Sequence, residues 1–200
     1  MRIVKPGEKI TRKELKYFAR MAARAYINDP VHSYATKNPK KRERFVYHFM
    51  LERLTASNGT DYICIDDDKR GMCVWRQAHN EYTVLDFLKC PNWVFLCLYL
   101  PNTIRTLSAY SALDVKVFEK NTWIISPVFT DPLHQGKGIA TALIRQGIEL
   151  LSPSGCKLGL EAQSRENEAF YEKLGFRTIE HSFAKHGNID HRYMVFESHD

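Results

Sequence analysis

No apolar run in the sequence approaches the roughly 20 residues that cross a bilayer as a helix. The longest, NWVFLCLYL from Asn92 to Leu100, lies between Pro91 and Pro101 and predicts a buried helix or a pocket wall. Cysteine is sparse. Cys64, Cys73, Cys90, Cys97 and Cys156 are odd in number and lack close pairs, which excludes a disulfide framework or a zinc site and reads as reduced core thiols. The tail histidines His181, His186 and His191 show neither metal-ligand spacing nor a shared carboxylate partner, so no metal is expected. Repeats, low-complexity tracts and linkers are absent, and one domain over residues 1–200 is the expectation. The opening MRIVKPGEKITRKEL is polar and soon helical rather than a charged-then-apolar leader, which predicts a cytoplasmic protein.

What is present is a chain of 200 residues, 44% hydrophobic, enough for one sizeable core. Its net charge of +6 suits an anionic partner. The densest basic cluster, KNPKKRER from Lys37 to Arg44, opens a helix with Asn38 as cap and Pro39 in the first turn and reads as a solvated face. No nucleic-acid motif accompanies it, so neither nucleic acid nor membrane is an expected partner.

Thr11 to Glu14 form a capping box before a helix that ends near Asn28, and a second helix spans Pro39 to Ser57 and stops at Asn58-Gly59. NDPVHSYATKN is the loop between them. DYICID and GMCVWRQ flank a turn and predict a hairpin, and the stretch from Glu81 to Glu119 is mostly helical. Strand NTWIISPVFT, helix Gly136 to Leu151, strand CKLGLEA, a helix around ENEAFYEKL, and strands FRTIEHSF and HRYMVFES follow. The order is α/β (α+β), with an antiparallel tail.

The stretch TDPLHQGKGIATALIRQGIELL places Gly136 and Gly138 where a strand hands over to a buried helix. The first N–H groups of a helix lack intrahelical partners and carry the positive end of its dipole, so that terminus favours an anion. Glycines there leave room for a phosphate against bare backbone. A Walker loop fails because Gly138 follows Lys137. A Rossmann turn fits less well, with Thr141 in its third position and Pro127 in the preceding strand, although Glu161 lies at a suitable distance. Pro127 itself fits either a bulge that breaks the ladder or a plain edge position.

Gln135-x-x-Gly138-x-Ala140, after VFTDP and opening a helix, resembles the pyrophosphate-binding motif of the GNAT superfamily of acyl-CoA N-acyltransferases. ENEAFYEKLGFRTIE resembles that family's following helix-and-strand segment, nearest the puromycin-type subset, with Tyr171 in the tyrosine position. The resemblance is firmest over 121–197. It implies a single-domain fold whose central mixed, mostly antiparallel sheet has splayed strands and helices on both faces. Acetyl-CoA is the implied donor, held by Val128, Phe129 and Thr130 along the arm and by Gln135, Gly136, Lys137, Gly138, Ile139 and Ala140 at the pyrophosphate. Asn167 is a further cofactor contact or else a helix cap.

The implied reaction is acetyl transfer to a primary amine of a small molecule by direct attack in a ternary complex. Tyr171 is the acid, with its ring looking into the cleft and Phe170 packed inward; the alternative is an aromatic packed beside Phe170 and Phe176. Glu161 accepts the amine's proton, or instead orients substrate or serves the structure. A backbone N–H near Val128 would bind the oxyanion. Asp29, His32 and Tyr34 border the acceptor, and the aromatics Phe87, Trp93, Phe95 and Tyr99 of the 82–110 segment would favour a hydrophobic amine. A non-catalytic acyl-CoA sensor and a transferase of longer acyl groups are the alternatives, and a homodimer is compatible with all three.

Overall fold

The computed structural model describes residues 1–79, 93–110, 117–184 and 189–197. The predicted capping box closes: the Thr11 hydroxyl accepts from the Glu14 N–H and the Glu14 carboxylate from the Thr11 N–H, both at 3.2 Å. Helix α1 (Arg12–Ala25) then buries Leu15, Phe18, Ala19 and Ala22 on one face. Where the sequence predicts a loop there is a short helix, α2 (Pro30–Ala35), capped by the Asp29 carboxylate accepting from the His32 N–H at 3.1 Å. An acid cap followed by proline is a helix start, but six residues are too few to display the apolar periodicity that reveals one. Helix α3 (Pro39–Ser57) has its predicted bounds, with Asn38 as cap and Gly59 beyond its end at φ 104°.

Helices α4 (Trp93–Leu98) and α5 (Leu100–Tyr110) follow. The expected burial of this apolar run is corrected, because Val94 is 51% and Leu98 76% exposed. Among the described side chains, the contacts run through Phe95, which stacks on His48 at 3.6 Å, and Tyr99, just beyond the helix, which lies 6.4 Å from the Phe45 ring. Cys64 and Cys73 are buried opposite each other in the sheet, whereas Cys97 is exposed and Cys156 half-buried, so the core reading fails for the latter two. Among the described residues no helix is long and apolar enough to cross a membrane.

Among the described residues seven strands make one sheet: β1 (Arg2–Val4), β2 (Tyr62–Ile65), β3 (Gly71–Gln77), β4 (Thr122–Thr130), β5 (Lys157–Ala162), β6 (Phe176–Ala184) and β7 (Ile189–Phe196). Their order is β1-β2-β3-β4-β5-β7-β6, and every neighbouring pair is antiparallel except β4 with β5. Alternation along β2 and β3 builds two cores. Ile63, Ile65, Met72 and Val74 face α1 and α3, while Cys64, Cys73 and Trp75 face helix α6 (Ile139–Leu151) on the opposite side. Helix α7 (Arg165–Glu172) lies on the α6 side, through Tyr171.

Candidate active site

The site is organised by an interruption in β4. Cys73 opposes Val128 and Trp75 opposes Ile125, so Ser126 and Pro127 together face Val74 and one residue is extra. Of the two readings that Pro127 leaves open, this is the bulge. Its consequence is visible in side-chain parity: Ile125 and Phe129, four apart, belong to opposite cores, whereas an unbroken strand would put both on one face. Just before the bulge β4 also leaves β5. Their pairing stops at Ile124 with Gly159, while β5 continues along β7 as far as Ala162. The diverging strands leave a gap through the sheet.

On the α6 side this gap opens into a cleft of about 500 Å³, lined by Val128, Phe129, Thr130, Gln135, Gly136, Gly138, Ile139, Ala140, Asn167 and Tyr171. These include every predicted cofactor residue except Lys137, which is exposed. Gly136 and Gly138 have φ of 75° and 76°, a backbone that glycine adopts without strain. A Cβ built on either would meet no protein atom within 4 Å, so no packing demand accounts for their lack of side chains. Gly138 is the N-cap of α6 with no side-chain cap, and the first helical bond runs from the Ala142 N–H to its carbonyl at 3.0 Å. The N–H groups of Ile139, Ala140 and Thr141 therefore precede any intrahelical acceptor and remain for a ligand. Arg24 of α1 anchors the loop through Asp131 at 2.8 Å, and Asp131 also accepts from the Leu133 N–H at 3.0 Å.

Tyr171 stands where the gap passes through the sheet, since it lines both this cleft and a second cavity on the opposite side. It is 9% exposed, and burial, with a smaller contribution from Cys73, pushes its hydroxyl well above the ordinary tyrosine range. It is thus a firmly protonated donor. The predicted division of roles between neighbours is also corrected: Tyr171 is the deeper residue, while Phe170 is half-buried and also lines the cleft. Tyr171 packs among Phe170 and Phe176 with ring centroids 5.1 and 6.1 Å away.

The second cavity, about 240 Å³, shares Tyr26, Val128, Asn167 and Tyr171 with the first and adds Asp29, Arg53, Glu161 and Gln163. Burial pushes the Asp29 carboxyl up to about 6, and the nearby Glu161 carboxylate adds to the effect. Glu161 is hydrogen-bonded to Nδ1 of His191, a fully buried imidazole. His181 lies 3.8 Å from a different carboxylate, Asp190, so these two tail histidines each face an acid without sharing one, and His186 is outside the described residues.

Of the predicted acceptor residues, Asp29 lines this cavity, but His32 and Tyr34 are not among its lining residues. His32 is wholly buried behind Asp29 between the rings of Tyr26 and Phe49, and Tyr34 packs toward Val31, Ala109 and Ile189. Phe95 and Tyr99 pack on α3 and line neither cavity, so the hydrophobic-amine expectation loses that support; Phe87 and the Trp93 side chain lie outside the described residues. Asn167 reaches both cavities, but Ser164 caps α7, accepting from the Asn167 N–H at 3.2 Å.

Sequence reasoning missed Tyr26, whose hydroxyl donates to the Val128 carbonyl at 2.6 Å, along with Arg53, Gln163 and His191. Tyr26 has the right helical spacing for the core stripe of α1, and nothing local marks its turn toward β4. Among the described residues no cluster of three or more His, Cys, Asp or Glu could hold a metal ion.

A model of the acetyltransferase (GNAT) family matches residues 63–176, more than half of the chain. The chain belongs to that family. Solved structures agree on the fold. An N-acetyltransferase from Staphylococcus aureus Mu50 superposes with a TM-score of 0.61 at 15% identity, covering 98% of this chain and 100% of its own. Histone acetyltransferase HPA2 and related acetyltransferase from Corynebacterium glutamicum gives 0.64 at 16% identity, covering 99% and 97%. PaiA N-acetyltransferase from Thermoplasma acidophilum, solved in complex with coenzyme A, gives 0.55 at 12% identity, covering 99% and 100%.

Proposed function

We propose that this protein transfers an acetyl group from acetyl-CoA to a primary amine of a small molecule, by direct attack in a ternary complex. The observation that carries this reading is the gap between β4 and β5. It joins a cleft headed by the open N-terminus of α6 to a cavity bearing Asp29 and Glu161, with Tyr171 lining both. In this reading the pyrophosphate of the donor lies on the N–H groups of residues 138–141, where bare backbone and helix dipole favour an anion. Membership of the GNAT family supports the same donor.

The amine enters from the side of Asp29 and Glu161. Its nitrogen attacks the acetyl carbonyl; the C–N bond forms and the C–S bond breaks. Glu161 takes the proton the nitrogen sheds, directly or through water, and Tyr171 supplies the proton that leaves CoA as a free thiol. The products are the amide and CoA. The charged lining of the acceptor cavity, Asp29, Arg53 and Glu161, supports a polar amine over a hydrophobic one.

Thiol release from acetyl-CoA across a panel of primary amines, with mass analysis of the acylated product, tests the proposal. Amine-dependent release is the expected result. Tight donor binding with no amine able to elicit transfer would leave an acyl-CoA-binding module in its place.

A further inference from the structure

His191 occupies a position that packing alone does not explain. It lies on β7 two residues from Tyr193, which pairs directly with Glu161 across β5, so its side chain is on the same face as the carboxylate. The imidazole is 0% exposed; Nδ1 is bonded to Glu161 Oε1, and Nε2 has no hydrogen-bond partner among the described residues. A buried polar group left half satisfied is unfavourable, and such local violations concentrate at functional sites. Glu161 itself lines the acceptor cavity with its side chain 13% exposed, and Asp29 lies close enough for the two carboxylates to repel each other. Left alone, Glu161 would be free to rotate away from that repulsion.

We propose that His191 is a positioning residue for Glu161: by holding Oε1 it fixes the carboxylate and leaves the other oxygen to receive the acceptor's proton. This rests on the acyl-transfer reading above. In the step itself His191 donates from Nδ1 throughout and neither gains nor loses a proton; the proton passes from the amine nitrogen to Glu161 as the C–N bond forms. Fixing a reacting group to within a fraction of an ångström is worth orders of magnitude in rate.

The test uses the full chain and a reactive amine from the panel, with four variants: Glu161→Gln, His191→Leu, His191→Asn and the double Glu161→Gln/His191→Leu. Asn can place an amide N–H where Nδ1 stands. His191→Leu should lower kcat by about 10-fold to 100-fold while the KM for acetyl-CoA stays within about twofold, and His191→Asn should recover most of the rate. The double variant should be no slower than Glu161→Gln alone, because the histidine acts through that carboxylate. If the Leu variant does not fold, His191→Gln replaces it: it keeps an amide in the slot but carries it beyond the Nδ1 position, and should be slow where Asn is fast. Losses that multiply in the double variant, equal rates for the Asn and Gln variants, or a Glu161→Gln variant as fast as the parent would each overturn the inference with transfer itself intact. A parent that releases no thiol with any amine overturns the transfer reading and this inference together.

Discussion

At the scale of single residues, Tyr171 combines a buried hydroxyl with a place on both cavities. Burial holds its proton on, which suits a group that must arrive protonated and give the proton up only when a thiolate appears beside it. Tyr171→Phe keeps the ring contacts with Phe170 and Phe176 and removes only the hydroxyl. The expected outcome is unchanged donor affinity with turnover lower by roughly 10²-fold to 10⁴-fold, and a smaller loss with a thioester whose leaving group is more acidic. Steady-state rates on the folded variant decide it; activity within about twofold of the parent removes Tyr171 from the chemistry.

His32 is buried for a different reason, as part of the packing behind α2. Burial, with the Arg53 and Arg42 charges adding to it, lowers its pKa from 6.5 to about 3. Between those values the unfolded chain binds the proton and the folded one does not, so stability is full above pH 6.5 and falls as the pH drops toward 3. The slope is at most roughly 1.4 kcal/mol per pH unit. Asp29, raised by burial to about 6, pulls the other way, so the informative comparison is with a variant lacking only the imidazole. Urea midpoints should show the parent losing about 2 kcal/mol more than His32→Phe between about pH 7 and pH 4.5. Equal losses would mean that His32 protonates in the fold without penalty.

At the scale of elements, α6 packs on β3 with its closest approach at Gly147. A Cβ at Gly147 would lie 1.9 Å from Nε1 of Trp75, which is itself fully buried, so neither partner has room to move. Gly147→Ala, normally favourable in a helix interior, should here destabilise by about 3 kcal/mol or more, read as a lower urea midpoint. A midpoint at or above the parent's would mean that α6 slides freely on the sheet. Because α6 carries the phosphate loop at its head, a folded Gly147→Ala protein should also bind CoA more weakly.

Helix α6 and its loop were legible in sequence because their signals are local: two glycines, a cap position and an apolar period within some twenty residues. The bulge was legible for the same reason, through Pro127. The His191–Glu161 pair was not, because it depends on the register between strands thirty residues apart. Helix α2 was too short for periodicity, and α4 misled because an apolar composition predicts burial without saying how many sides have a neighbour.

At the scale of the whole molecule, the two cores meet across one sheet, and the proposed donor cleft draws on both. Ala25 and Tyr26 at the end of α1 come from one side; the α6 loop and α7 come from the other. A ligand lying in the cleft bridges them and binds only the folded chain, so it should raise the unfolding temperature by mass action. At about 100 times its Kd, CoA should contribute about 2.7 kcal/mol, which for a domain of this size is a rise of roughly 5–10 °C. Gly138→Asp separates specific from general stabilisation. Its side chain would enter open space rather than protein, though at φ 76° it carries backbone strain, so the variant should fold with somewhat lower stability. Its carboxylate would stand where the pyrophosphate is proposed to lie, adding bulk and like charge. The parent should therefore show the CoA-dependent rise and the variant none, with titration calorimetry detecting no binding to the latter. A folded Gly138→Asp protein whose unfolding temperature still climbs with CoA would mean that the phosphate groups lie elsewhere, and that the bare glycines at the head of α6 serve only the turn.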